Sequence, residues 1–259
     1  MNIHIIGGGN LGVAIAIGIS KYTTGNSITI TRRNIESILF LEKDGIKVKS
    51  NNTDGIETAD LVILTIKPYQ VFAVLDEILP HIKHAIIASA VSGLSIEEIQ
   101  KKTGIDQPVI RIMPNIAVRF GESATCISYQ EKDSSNAKSV IDLFNQLGTV
   151  SVIDEKLMDA ATVLGACGTA YALRYIRASM QAGIEIGFDA QTALSIASQT
   201  AKGAATMALI EKIHPEQLID RVTTPQGCTI VGLNEMEHEG FSSSLIKGIK
   251  TSLKKIKGM

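Results

Sequence analysis

The sequence predicts an α/β domain followed by an all-helical domain. Three observations carry this prediction. Residues 1–153 alternate short apolar runs with amphipathic stretches, the pattern of a sheet covered by helices. The turn Gly7-Gly8-Gly9-Asn10-Leu11-Gly12 directly follows the first apolar run. Beyond Asp154 the β-branched clusters fade, and Ala, Met, Gln and Leu take over. The boundary falls near residue 153, giving domains over 1–153 and 154–259. With 259 residues, 45% hydrophobic and 20% charged, the chain can fill two modest cores.

The first strand is read at Asn2–Ile6, with others at Ser27–Thr31, Ile46–Lys49, Leu61–Ile66, Ala85–Ser89 and Val109–Met113. Thr125–Tyr129 and Val150–Ile153 continue the sheet. Helices are expected over 11–21, 34–43, 68–79, 95–103 and 134–147. The fourth opens with Ser95-Ile96-Glu97-Glu98, a capping box in which Ser and Glu satisfy each other's free backbone donors. Leu61–Ile66 is apolar on both faces apart from Thr65, as a parallel strand covered on each side should be. From Leu157 to Lys212 there is no proline, and long helices follow with a break at Gly187-Phe188-Asp189, where Asp189 caps the next. Ala190, Ala193, Ala197, Ala201, Ala204 and Ala208 then form a small-residue stripe that lets another helix approach closely. A thin helical core with such a stripe predicts a homodimer, or a higher homo-oligomer, through the C-terminal half. His214-Pro215 breaks the helix, and Pro225-Gln226-Gly227 marks a loop. The last segment sets Leu245, Ile249, Leu253 and Ile256 against a solvated lysine face.

Several functions are excluded. A net charge of −1 and a pI near 6.5 lack the basic footprint of a nucleic-acid binder. Cys126, Cys167 and Cys228 show no CxxC spacing, so neither a disulfide framework nor a zinc site is expected, and a reducing compartment is. His81 and His84 share a helix side but find no third ligand, so no metal is expected. Met1–Ser20 carries no charged side chain, yet it has no basic start and is interrupted by the glycines. It reads as neither a signal peptide nor a membrane span, and a cytoplasmic location is expected.

The glycine turn carries the chemistry. In a strand–turn–helix setting, G-x-G-x-x-G is the fingerprint of a Rossmann-type dinucleotide-binding domain. Gly7 makes the tight turn, Gly9 admits a diphosphate over the helix N-terminus with Asn10 and Leu11, and Gly12 packs helix on strand. A turn with no dinucleotide is the plain alternative. After the second strand, Arg32-Arg33 stand where an acidic residue would select NAD. Guanidinium forks suit a 2′-phosphate, which predicts NADPH, with NADH as the other cofactor. Ile66, Lys67 and Pro68 end the fourth strand, and the small residues Ala90 and Val91 end the fifth, where a nicotinamide ring would lie.

Two further motifs, Arg111-Ile112-Met113-Pro114-Asn115 and Thr224-Pro225-Gln226-Gly227-Cys228-Thr229, complete a set running the length of the chain. With Gly-Asn-Leu-Gly and Lys67-Pro68, this set resembles the pyrroline-5-carboxylate reductase family. The resemblance implies NADPH-dependent reduction of the cyclic imine 1-pyrroline-5-carboxylate to L-proline in proline biosynthesis, and a helical dimerisation domain. It also places Met113 and Asn115 at the cofactor. Thr224, Gln226, Gly227, Cys228 and Thr229 become a cradle for the substrate carboxylate, with the Thr229 hydroxyl on the ring nitrogen as the catalytic group. An N-cap of the next helix is the other role open to Thr229. The chain departs from the family pattern at Ile116-Ala117, at Ala166-Cys167-Gly168-Thr169-Ala170-Tyr171, and at Gln226 and Cys228. Gln226 stands where glycine would adopt positive φ at little cost. The departures leave two alternatives: a reductase of a different cyclic imine, or a non-catalytic NADP-binding regulator. A β-hydroxyacid dehydrogenase would carry a lysine on the first helix of the second domain, but none occurs between Lys156 and Lys202.

Overall fold

The computed structural model describes residues 1–258. Its strands are β1 (Asn2–Ile6), β2 (Ser27–Thr31), β3 (Lys47–Lys49), β4 (Leu61–Leu64), β5 (Ile86–Ser89), β6 (Val109–Met113), β7 (Ser123–Tyr129) and β8 (Gly148–Val152). They form one 8-stranded sheet in the order β3-β2-β1-β4-β5-β6-β7-β8. Pairing is parallel except between β6 and β7, which run antiparallel.

Alternation along each strand decides which helix covers which face. Ile3, Ile5, Ile28, Ile30 and Ile63 meet α1 (Asn10–Tyr22), whose buried face includes Ala14, Ile15 and Ile19. Ile6, Val62, Leu64 and Ile87 face the other way, onto α2 (Val71–Ile78) and α3 (Ile96–Thr103). The capping box at Ser95 is present, with Glu98 accepting from the Ser95 backbone at 2.8 Å. On the first face α4 (Ser134–Asn145) adds Ala137, Val140 and Phe144. Over β1, β2 and β3 the second face carries His4, Thr29, Lys47 and Lys49, which line a cavity of about 400 Å³.

Some expected elements differ: β7 and β8 each begin two residues early, at Ser123 and Gly148. The stretch read as a helix over 34–43 is a 3₁₀ run, Glu36–Asp44. It buries only Ile38 and Leu41, three residues apart, which suits three residues per turn and gives an α-helix no continuous stripe. The fourth strand ends at Leu64; the Thr65 N–H still donates to the Ile6 carbonyl at 2.9 Å, and its hydroxyl turns to the carbonyls of Ile6 and Gly7, at 3.1 and 2.7 Å.

Contacts divide the chain into two compact units. The first holds Met1–Thr169 with the C-terminal end from Lys255, and the second holds Ala170–Lys254. Residues 154–169 group with the first unit because this segment packs on the sheet. There α5 (Met158–Ala161) joins Met113 and Cys126 in a small core, and Glu155 pairs with the buried Arg111 at 3.2 Å. A π-helical stretch, Thr162–Cys167, links α5 to α6 (Gly168–Glu185).

The second unit continues through α7 (Ala190–Glu211), α8 (Pro215–Arg221), α9 (Cys228–His238) and α10 (Phe241–Ile256). Asp189 caps α7, accepting from the Gln191 and Thr192 N–H groups, each at 3.0 Å. The alanine stripe starts its work within the chain: a Cβ on Gly183 of α6 would lie 2.9 Å from that of Ala193. Ala193 and Ala197 are buried, whereas Ala204 and Ala208 stay exposed. Among the described residues no helix is long and apolar enough to cross a membrane.

Candidate active site

A cleft of about 1330 Å³ opens at the carboxyl ends of β1, β2, β4 and β5, where the strand order reverses direction. Its floor is the glycine turn. Gly7 and Gly8 donate to the Thr31 carbonyl at 3.2 and 2.9 Å, which ties the turn to the end of β2. Gly7 has φ of +112°, and a Cβ there would lie 2.8 Å from the Thr65 carbonyl oxygen. A Cβ on Gly12 would sit 2.0 Å from the Gly7 carbonyl oxygen, so α1 can pack on the turn only through glycine. Gly9 differs, since nothing lies within 4 Å of its would-be Cβ. It is the N-cap of α1, no side chain caps the helix, and the first turn carries no acid. The first N–H groups of α1 are thus left for an anion, and the open space over Gly9 fits a diphosphate.

Gly7, Gly9, Asn10, Leu11, Arg32, Arg33, Ile66, Lys67, Pro68, Ala90 and Val91 all line this cleft. The two arginines are not equivalent. Arg32 donates through Nη1 to the Gly8 carbonyl at 2.7 Å, clamping the turn. Arg33 is exposed and has no hydrogen-bond partner among the described residues.

In the second unit, Thr224–Gly227 is a turn closed by the Gly227 N–H on the Thr224 carbonyl at 2.9 Å. Pro225 holds its second position, and Gln226 its third with φ of +61°, the type II arrangement. Glutamine therefore adopts the left-handed geometry that glycine would supply. Gly227 is the N-cap of α9, so Thr229 lies inside the first turn and is not the cap. Its side chain is exposed, and no other side chain caps the helix.

The chain is similar to curated proteins and to a solved structure along its whole length. It is 43% identical to pyrroline-5-carboxylate reductase 2 of Dictyostelium discoideum, with 98% of this chain and 91% of the relative covered. The chain belongs to the pyrroline-5-carboxylate reductase family. Reductase 1 of the same organism is 44% identical over 96% of this chain, which spans about half (48%) of that relative's length. The pyrroline carboxylate reductase of Plasmodium falciparum, solved with NADP bound, matches with a TM-score of 0.88 at 25% identity, covering 100% of this chain and 97% of that one. Residues 155–259 match the family model for pyrroline-5-carboxylate reductase dimerisation, and 2–93 the one for F420-dependent NADP oxidoreductases.

Of the motif Arg111–Asn115, Arg111, Met113 and Asn115 make packing and hydrogen-bond contacts within the first unit. Met113 and Asn115 are not part of the cleft lining. Met113 is buried against Met158 and Ala161. The Asn115 amide accepts from the Ala117 N–H at 3.0 Å and donates to the Gly165 carbonyl at 3.2 Å, inside the π-helical stretch. The neighbouring Ile116 reaches the cleft instead. Arg111 also has a structural part: Glu155 accepts both its guanidinium and, at 2.7 Å, the Ile96 N–H that opens α3. Residues that motif reading missed are Asn51, Asn52, Tyr69, Gln70, Ala73 and Glu77, all in the cleft wall. Their one signal is position: they follow β3 and β4, strands that lie on opposite sides of the switch point between β1 and β4.

Proposed function

We propose that this chain reduces the C=N bond of 1-pyrroline-5-carboxylate to give L-proline, with NADPH as the reductant. The observation that carries the reading is the uncapped N-terminus of α1 beneath Gly9, in one cleft with Arg32 and Arg33. Bound there, NADPH supplies the hydride that the imine carbon accepts. The α1 N–H groups hold its diphosphate, and the arginines answer its 2′-phosphate. At the substrate, the uncapped N–H groups of α9 hold the carboxylate behind the Thr224–Gly227 turn. The Thr229 hydroxyl bonds the ring nitrogen, which carries one proton from solvent as the C=N bond becomes C–NH. An iminium is already electrophilic, so the protein's task is to orient the rings and exclude competing water.

The active form is a homodimer or a larger homo-oligomer. In the helical unit only Ala193, Ala197 and Leu218 are buried among the hydrophobic residues, while Leu173, Ile186, Leu209, Ile210 and Val231 are exposed. No residue of α9 or α10 is buried within the chain. We place the enzyme in the cytoplasm, where its free Cys126, Cys167 and Cys228 stay reduced. Its partner is the small imine and not a nucleic acid, given a net charge of −1.

Thr229→Val tests the assignment, because it keeps the shape and removes the hydroxyl. Loss of a hydrogen bond to the developing amine lowers kcat/KM for pyrroline-5-carboxylate by about ten- to a hundredfold, or roughly 1–3 kcal/mol. NADPH affinity and melting temperature stay unchanged, since Gly227 caps α9. Normal turnover by this variant removes Thr229 from the mechanism.

A further inference from the structure

Along the cleft wall formed by α2 and the turn before it, two side chains stand without a role in the proposed reaction. Tyr69 is 83% exposed, although it lines the cleft beside Ala73 and Val74. Glu77, two helical turns further on, is fixed by a relay. The Thr31 hydroxyl donates to Asn52 Oδ1 at 2.6 Å, and Asn52 Nδ2 donates to Glu77 Oε2 at 3.0 Å. Glu77 Oε1 has no hydrogen-bond partner among the described residues. A carboxylate oriented by one hydrogen bond in a site for a polyanion is the wrong partner for phosphate. It is a good partner for an N–H donor, and an uncovered aromatic ring in a cleft is a platform for a flat base.

Resting on the NADPH reading above, we propose that Tyr69 and Glu77 are the base-recognition corner of the cofactor site. The Tyr69 ring covers the adenine, and the Glu77 carboxylate accepts a hydrogen bond from its exocyclic amine. The side of the cleft agrees. In a sheet ordered 3-2-1-4-5-6 the adenine half lies towards β2 and β3, and Asn52, which follows β3, ties α2 to that side. The pair therefore sets specificity for an amino-purine dinucleotide. Hypoxanthine carries a carbonyl in place of the amine, and it meets the carboxylate acceptor to acceptor.

Calorimetric titration of the intact protein with oxidised NADP and with its hypoxanthine analogue tests this directly, without turnover. The wild type is expected to bind the adenine form about tenfold more tightly. Glu77→Gln, whose amide can donate to the hypoxanthine carbonyl, narrows that ratio at least fivefold. Tyr69→Ala weakens both dinucleotides about tenfold, Tyr69→Phe restores them, and adenosine 2′,5′-bisphosphate follows the same order. Nicotinamide mononucleotide affinity does not move. Equal binding of the two bases by the wild type, or unchanged affinity in Tyr69→Ala, overturns the base corner while leaving the reductase reading in place. A wild type that binds neither dinucleotide overturns both.

Discussion

Arg32 and Arg33 stand side by side in the cleft, yet single substitutions should separate their work. Arg33 is exposed and unpaired among the described residues, so on the proposed reading Arg33→Ala removes a guanidinium whose one partner is the 2′-phosphate. A hydrogen bond to a charged group is worth about 1.5–3 kcal/mol, and an exposed one falls at the low end because solvent and salt screen it. At about 1.4 kcal/mol per decade, the Kd for NADPH rises about tenfold and that for NADH stays put. Arg32→Ala does more. Its Nη1 bond to the Gly8 carbonyl, at 2.7 Å, holds the turn that carries the diphosphate. Removing it loosens the cradle for either cofactor, so NADH weakens by roughly three- to tenfold and NADPH by more. Cofactor fluorescence titrations at low and high salt read all four affinities, and the NADPH preference shrinks as salt rises. The reasoning fails if Arg33→Ala weakens NADH as much as NADPH, or if Arg32→Ala spares NADH.

Two further outcomes follow from the same structure. His4 on β1 is 1% exposed, its Nε2 has no partner, and burial holds its pKa down at about 4. The unfolded chain takes up a proton near the ordinary value of 6.5, so stability is lost as pH falls from 6.5 towards 4, by about 3 kcal/mol at the low end. Urea unfolding of the first unit followed from pH 7.5 down to 4.5 checks this, and a pH profile unaltered by His4→Gln refutes it. Light scattering at micromolar concentration should give at least twice the 27.7 kDa of one chain, and a folded, active monomer would exclude the oligomer.

Where the sequence carried a continuous signal, the structure follows it closely. β1, β2 and β6 begin and end at the expected residues, because each is an apolar run closed by turn chemistry. Asp189 and Ser95 cap as their spacing requires. What stayed hidden depends on partners distant in the chain. The antiparallel pairing of β6 with β7 sets Arg111 opposite Ser128, and no run of residues announces strand direction. Glu155 is tied to the first unit through Arg111 and Ile96, partners that lie far back in the sequence. Tyr69 and Glu77 were silent for a related reason. A lone aromatic and a lone acid on a helix carry no periodic signal, and only the fold of β3 and β4 around the switch point gives them a site.

Gln226 shows how a departure in letters can leave the geometry intact. Placing a residue with a Cβ at φ of +61° costs about 1–2 kcal/mol relative to the right-handed regions. Glycine at the same point avoids that cost but surrenders about 0.5–1 kcal/mol of chain entropy on folding. The entropy offsets about half of the strain, so glutamine occupies the third position of the turn at a net cost of roughly 1 kcal/mol, with the 2.9 Å hydrogen bond kept. No such exchange exists one residue later. A Cβ on Gly227 would lie 2.5 Å from Thr224 Oγ1 and 3.0 Å from its carbonyl oxygen, so a side chain there displaces the Thr224 hydroxyl and crowds the carbonyl that closes the turn. The more crowded position of the loop is the one where this chain keeps glycine, and the N-terminus of α9 stays uncapped behind it.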